Sequence, residues 1–161
     1  MRRAIPADHA EIRRVVRAAF NASRFDEAQM VEAARAEGVV LVELVEEREE
    51  RIVGHIMFSR MICDPPRFVA GLAPVGVEPA FQHQKIGDAL CRAGIEAVRA
   101  MGAEAVVLLG HPTYYPRFGF SPALTAPLVS RYAGQEAFMG LELAQGGLRP
   151  PLKIDFPAAF E

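Results

Sequence analysis

A strand, a helix and a second strand follow one another between Phe68 and Leu109 with no linker separating them. Phe68 to Val77 reads as a strand interrupted by Gly71, Pro74 and Gly76, which suit an irregular strand and equally a plain bulge. Ile86 to Met101 reads as the clearest helix of the chain. Ile86, Ala89, Leu90, Ala93, Ala97 and Met101 recur at helical spacing, and Gly102 stops the helix. Asp88, Arg92 and Glu96 form an i,i+4 charge ladder on another face, and Cys91 reads as a small buried hydrophobe. Ala105 to Leu109 is a continuous apolar run, the mark of a strand buried on both faces. Such a unit closes as a right-handed parallel crossover. The rest of the fold must therefore be arranged around two parallel strands and one helix.

Upstream, Arg2 to Ile5 reads as a short strand, and Asp8 with Glu11 has the spacing of a capping box. Ile12, Val15, Val16, Ala19 and Phe20 line one face of the first helix, with Arg13, Arg14 and Arg17 on a solvated face. A weaker helix spans Asp26 to Ala36, buries Met30, Val31 and Ala34, and ends at Gly38. Val39 to Val45 is β-branched and strand-like, Glu46 to Glu50 reads as a solvated hairpin tip, and Arg51 to Arg60 as the returning strand. Gly54 inside it signals a bulge or a close backbone approach. Asp64-Pro65-Pro66 is a turn. Phe138 to Leu143 and a short segment with Leu152 and Ile154 supply late strands. The resulting fold class is α/β (α+β). One domain over residues 1–161 contains a mixed, mostly antiparallel twisted sheet, helices on both faces and a central parallel strand-helix-strand unit.

Composition excludes several functions. The net charge of −2 and the absence of a basic block argue against nucleic acid as a partner. No apolar run reaches the roughly 18 residues of a membrane span, and the start lacks the apolar stretch of a secretion signal, so the expected location is cytoplasmic. Cys63, Cys91 and the four histidines show no metal-ligand spacing, and no Gly-x-Ser-x-Gly occurs.

The chemistry is concentrated in Val75-Gly76-Val77-Glu78-Pro79-Ala80-Phe81-Gln82-His83-Gln84-Lys85-Ile86-Gly87-Asp88-Ala89-Leu90. This segment leaves a strand through a tight turn and enters the best helix. Helix starts present unpaired amides and the positive end of the dipole, which suit a phosphate or pyrophosphate, and Gly87 admits a close ligand. The segment resembles motif A of the GNAT acyltransferases, Gln/Arg-x-x-Gly-x-Gly/Ala after a strand ending Val-x-Pro. Gln82 matches the first motif position, Gly87 the last, and Val77-Glu78-Pro79 the strand end. Pro112-Thr113-Tyr114-Tyr115-Pro116-Arg117-Phe118-Gly119-Phe120 is similar to motif B, and Ile154 to Phe160 looks like the chain ending of the YhbS-type branch. Lys85 departs from the pattern, where the family keeps glycine, and His83 stands where near relatives tend to have glycine. A helical backbone at Lys85 would make lysine cheap and bring its ammonium toward phosphate. A left-handed one would strain it. The sequence leaves both open.

The resemblance implies acetyl transfer from acetyl-CoA to an amine by direct attack on the thioester, with no metal. It implies two parallel strands that splay to admit the pantetheine arm. Backbone near Val75 and Val77 would hold the thioester, and the amides of Gln82, His83, Gln84, Lys85, Ile86, Gly87 and Asp88 the pyrophosphate. Tyr115, four residues before Gly119, matches the family's tyrosine acid, with Tyr114 the secondary choice. The general base is unassigned. Glu78 and Glu43 read as surface carboxylates able to act through water, and His55 and His111 as structural or surface histidines, with a place facing the cleft left open. The acceptor is a small-molecule, peptide or protein amine, and a homodimer is compatible with the family. A non-catalytic acyl-CoA-binding or regulatory module is the alternative, kept open by Lys85 and the missing base. Asn21 to Asp26 and Ser121 to Gln135 carry no specificity signal.

Overall fold

The computed structural model describes residues 1–161. In chain order the regular elements are β1 (Arg2–Arg3), α1 (His9–Ala19), α2 (Glu27–Glu37), β2 (Val40–Arg48), β3 (Arg51–Arg60), β4 (Ile62–Asp64), β5 (Val69–Val77), α3 (Ile86–Ala100), β6 (Ala105–Leu109), β7 (Phe138–Glu142) and β8 (Lys153–Asp155). Six strands form one sheet in the order β1-β2-β3-β5-β6-β7, antiparallel except for β5 and β6. β4, which the turn at Asp64-Pro65-Pro66 conceals in the sequence, pairs with β8 in a separate two-stranded sheet.

β3 lies at the centre and is buried on both faces. Val53, Ile56 and Phe58 face the core under α3, whereas Ile52 and Met57 face α1 and α2. The alternation slips once, at Val53-Gly54, where the register with β2 shifts between Glu46/Gly54 and Glu47/Ile52. Gly54 meets both descriptions the sequence offered. It sits in a bulge, and a Cβ there would come within 2.9 Å of Ile86 and 3.0 Å of Leu90 on α3.

α1 buries Ile12, Val15 and Val16, and α2 buries Ala28, Met30, Val31 and Ala34 before Gly38 ends it in the left-handed conformation at φ 75°. The expected capping box at Asp8 does not form. The carboxylate instead accepts two bonds from Arg2 at 2.7 and 2.9 Å and one from the Ile5 amide at 2.8 Å. A bidentate guanidinium is the stronger partner. The arginines of α1 are not a bare solvated face either. Arg13 pairs with Glu32 of α2, and Arg14 donates to the Ile52 carbonyl and pairs with Glu78 at 3.1 Å. The hairpin tip is shorter than Glu46 to Glu50. β2 continues to Arg48, and only Glu49 and Glu50 turn, at φ 52° and 61°, as a two-residue hairpin requires. Glu46 is buried and holds the chain's terminal ammonium at 2.9 Å.

On α3 the buried row is Ile86, Leu90, Cys91, Gly94, Ile95 and Val98; Ala89 and Met101 are exposed. The face expected from the sequence is thus rotated from the one that packs. The charge ladder is not made: Asp88 turns to Tyr114, Arg92 lies over the Phe118 ring at 5.1 Å, and Glu96 pairs with Arg99. No helix is long and apolar enough to cross a membrane.

Candidate active site

β5 and β6 are hydrogen-bonded only from Val69–Gly71 to Ala105–Val107. Beyond that point they part. On its other edge β5 also loses register, because Ala73 and Pro74 intervene between the Phe58–Leu72 and Ile56–Val75 pairs. Proline has no amide to give and bends the strand away from its neighbour. The opening is a cleft of about 1120 Å³, bordered by Ala73 to Val77 of β5 on one side and by Leu109, Gly110 and His111 after β6 on the other. The irregularity that Gly71, Pro74 and Gly76 signalled is therefore a divergence of the two parallel strands. Gly76 itself is needed for packing: a Cβ there would meet Ala19 at 3.1 Å and Phe20 at 3.3 Å.

The head of α3 closes one end of the cleft. Gln82, His83, Lys85, Ile86, Gly87 and Asp88 line it together with Val75 and Val77; Gln84 is exposed and does not. The first helical bond runs from the Ala89 amide to the Lys85 carbonyl, and no side chain caps the helix. The amides of Ile86, Gly87 and Asp88 are thus without helical partners at the positive end of the dipole. Gln82 ties the turn to β5 by donating its side-chain amide to the Val77 carbonyl at 3.0 Å. Lys85 resolves the alternative posed by its sequence: its backbone is left-handed, at φ 62°, and so is that of His83, at φ 59°. Both occupy the conformation for which glycine is suited.

Tyr114 and Tyr115 divide their roles. The Tyr114 hydroxyl donates to Asp88 Oδ1 at 2.7 Å and closes over Gly87, where a Cβ would stand 3.2 Å from that oxygen. Arg117 lies over the Tyr114 ring at 4.2 Å and 3.5 Å from the same carboxylate. Tyr115 starts a single 3-10 turn, Tyr115–Phe118, that ends at Gly119 with φ 96°. Its ring packs on Gly110, at which a Cβ would be 2.3 Å away, and edges against Tyr114, Phe118 and Phe120. Burial, then Cys91, raises the Tyr115 phenol above its usual range, and no hydrogen bond contributes. The group is protonated at neutral pH and its proton is not committed to a protein acceptor. Burial pushes the Cys91 thiol up to about 12, so it is not a nucleophile.

The carboxylates and one histidine expected near the chemistry lie elsewhere. Glu43 is not a surface group: it is nearly buried and accepts from Arg35 at 2.5 Å and from His55 Nε2 at 2.7 Å. His55 is fully buried and faces no cleft. Glu78 is held by Arg14 and Arg51, at 3.1 and 3.3 Å, outside the cleft wall. His111 alone of these borders the opening.

Sequence reasoning missed a third wall. Phe20, Phe25, Glu27 and Met30 from the end of α1 and the start of α2 border the same cleft as Tyr132, Phe156 and Phe160 from the last third of the chain. Phe25 and Tyr132 belong to loops that carry no motif. Phe156 and Phe160 fall in the chain ending, where no local pattern points to the cleft.

Residues 9–120 match the family model described as the acetyltransferase (GNAT) family. The uncharacterized N-acetyltransferase YjhQ of Escherichia coli is 40% identical over 126 residues, which are 72% of this chain and 66% of YjhQ, so the chain spans just under two thirds of that relative. The uncharacterized N-acetyltransferase YhbS of the same species is 31% identical over 147 residues, 89% of this chain and 87% of YhbS. The crystal structure of E. coli YhbS in complex with CoA is similar at a TM-score of 0.87 and 29% identity, over 99% of this chain and 89% of that one. A GNAT-family acetyltransferase from Brucella melitensis in complex with acetyl-CoA is similar at a TM-score of 0.82 and 36% identity, over 99% and 96%. A cleft between diverging parallel strands, a helix head with free amides at its end and a family match across both lead to one conclusion: this chain belongs to the GNAT acetyltransferase family.

Proposed function

We propose that the protein transfers the acetyl group of acetyl-CoA to an amine acceptor, and that Tyr115 is the acid of the reaction. The observation that carries this reading is the parting of β5 and β6 beside a helix head with uncommitted amides, with the free Tyr115 hydroxyl's ring in the same wall. The cleft is large enough for a pantetheine arm and the residues bordering it have the right chemistry. The free backbone edge at Ala73 to Val77 suits the amides of the arm, as a neighbouring strand would. The Ile86, Gly87 and Asp88 amides suit the pyrophosphate, and Lys85 and Arg117 add positive charge on that side. Asp88 would repel a phosphate, but its carboxylate is engaged by Tyr114 and Arg117.

The chemical step is balanced without a metal. A neutral amine nitrogen attacks the thioester carbonyl carbon, the C–S bond breaks, and the sulfur takes the Tyr115 proton. The amine loses a proton to a base or to water, and the phenolate is reprotonated from solvent. Holding the amine and the thioester in line supplies much of the acceleration. A raised phenol is suited to this acid role because it stays protonated at the pH where amines begin to deprotonate.

Acetyl-CoA at 100 times its Kd adds about 2.7 kcal/mol to stability, which for a domain of this size raises the melting temperature by roughly 5–10 °C. Tyr115→Phe should keep that shift and lower kcat by about 10²-fold or more. An unchanged kcat removes Tyr115 from the acid role. No shift with acetyl-CoA removes the transferase reading in favour of a module that keeps only the fold.

A further inference from the structure

The cleft is electrically divided. Its cationic side chains, Lys85 and Arg117, stand at the α3 head, together with an Asp88 already satisfied by Tyr114 and Arg117. Away from the α3 head the lining carries a single charged group, Glu27, in the first turn of α2. Around it the wall is apolar and largely aromatic: Phe20, Phe25 and Met30 from the α1–α2 region, and Tyr132, Phe156 and Phe160 from the last third of the chain. The second group is a connected stack, with Tyr132 and Phe156 centroids 5.4 Å apart and Phe156 and Phe160 5.8 Å apart. Glu27 is half-buried and oriented by the Ser23 hydroxyl, which donates to Oε1 at 2.6 Å. That bond fixes one oxygen and leaves Oε2 without a protein donor. No lysine or arginine forms an ion pair with Glu27: Arg24, the nearest cation in sequence, does not pair with it, and Arg17 pairs with Asp26.

We propose that this wall is the acceptor site and that the acceptor is a cationic amine on an aromatic or comparably flat apolar body, its ammonium held by Glu27. This rests on the transferase reading above. A lone carboxylate in an apolar wall attracts a cation more strongly than it would in water. Half-exposed aromatic faces bind a flat apolar group or a cation, by burial and through the ring quadrupole. The same wall disfavours acceptors that carry a carboxylate, which Glu27 repels, and polyhydroxylated amines, which have more hydroxyls than Glu27 and the Tyr132 hydroxyl can satisfy. Glu27 binds the ammonium, and the nitrogen becomes the nucleophile on losing a proton to that carboxylate or to water. The proton passes on to solvent, so acetyl-CoA and the ammonium give the amide, the CoA thiol and one proton.

The test uses the full chain and four probes: phenethylamine, tryptamine, glutamate and glucosamine. Kinetics with acetyl-CoA are combined with calorimetric titration of each amine into CoA-saturated protein, a readout without turnover. The two aromatic amines should exceed glutamate and glucosamine by at least 10-fold in kcat/KM and bind measurably to the CoA complex. Glu27→Gln, nearly isosteric and able to keep the Ser23 contact, should raise the aromatic amines' KM and Kd by at least 10-fold while acetyl-CoA affinity stays unchanged. Phe25→Ala, at an exposed position, should narrow the preference for aromatic over small amines without shifting the melting temperature. A preference for glutamate or glucosamine overturns the proposal. So does an unaltered KM and Kd in Glu27→Gln, or a protein that binds acetyl-CoA but none of the aromatic amines. A wild-type protein that fails to bind acetyl-CoA at all overturns the transferase reading first, and the acceptor site with it.

Discussion

Lys85 and His83 hold left-handed backbones at φ 62° and 59° in a turn that must bring consecutive amides toward one point. An L-residue in that region costs roughly 1–2 kcal/mol, because its Cβ crowds the following carbonyl. The chain tolerates this at the residue that precedes the free amides of α3 and borders the cleft, where a cation favours an anionic ligand, which is a reason to keep lysine where glycine would relax the backbone. Lys85→Val should lower stability by about 1 kcal/mol or more, since β-branching worsens the crowding, whereas Lys85→Gly should not destabilise. Melting temperatures of the two variants check this, and a Val variant as stable as the wild type would mean that the turn relaxes freely. The sequence made the departure at Lys85 visible but not its backbone angle. That angle is set by how β5 and α3 are positioned, and no local propensity of lysine encodes it.

α3 shows how an element's type is legible while its orientation is not. The chain offers two apolar rows on this helix, an alanine row through Ala89, Ala93 and Ala97, and a second through Leu90, Cys91, Gly94, Ile95 and Val98. Helical periodicity fits both. The sheet selects the second because it pairs the larger side chains with a glycine over which β3 passes closely. A Cβ on Gly94 would stand 2.2 Å from the fully buried Phe58 ring. Gly94→Ala improves helix propensity by about 1 kcal/mol yet should destabilise the protein by a net of about 1–3 kcal/mol, through overpacking that a rigid ring cannot absorb. At this chain length that is a fall of roughly 2–12 °C in melting temperature. A rise instead would show that helix and sheet can separate to admit the methyl group. β2 carries the same lesson: its charged end, Glu46 to Arg48, looked like loop, but cross-strand pairing with β3 extends the strand through it.

At the scale of the molecule, the buried cluster of Arg35, Glu43 and His55 ties α2 to the face of the sheet opposite α3. Burial would raise the Glu43 carboxyl, but hydrogen bonds from His55 and Arg35 outweigh it and bring it down to about 2. Burial lowers His55, against the pull of Glu43. It is therefore neutral at pH 7 with the proton on Nε2, and Nδ1 is left without a partner. Both groups bind fewer protons folded than unfolded, so both make stability rise with pH. As pH falls, the His55 contribution is lost below its unfolded value near 6.5, and that of Glu43 between about 4.5 and 2. Melting temperature should accordingly decline in two stages on acidification. Glu43→Gln, which leaves Arg35 unpaired, should cost about 3–5 kcal/mol at pH 7, and its deficit should shrink as pH drops below about 4.5. A deficit constant across that range would mean that Glu43 is not ionised in the fold. The same face of the sheet supports α1 and α2, whose junction builds the Glu27 wall, so damage here should also weaken amine binding.

The sequence by itself determined the crossover from β5 through α3 to β6, the burial of α1 and α2, and the position of the phosphate-suited turn. Each depends on contacts within a few residues, on periodicity, or on a motif whose residues are contiguous. Only the tertiary structure decided which face of α3 packs, that Glu43 and His55 are buried partners and not cleft residues, and that Tyr114 is engaged by Asp88 while Tyr115 remains free. It also brought Phe25 and Glu27 into one cleft with Tyr132 and Phe156, more than a hundred residues away. Such pairings are fixed by packing between distant segments, and no local pattern carries them because each side is, on its own, an ordinary loop or helix start.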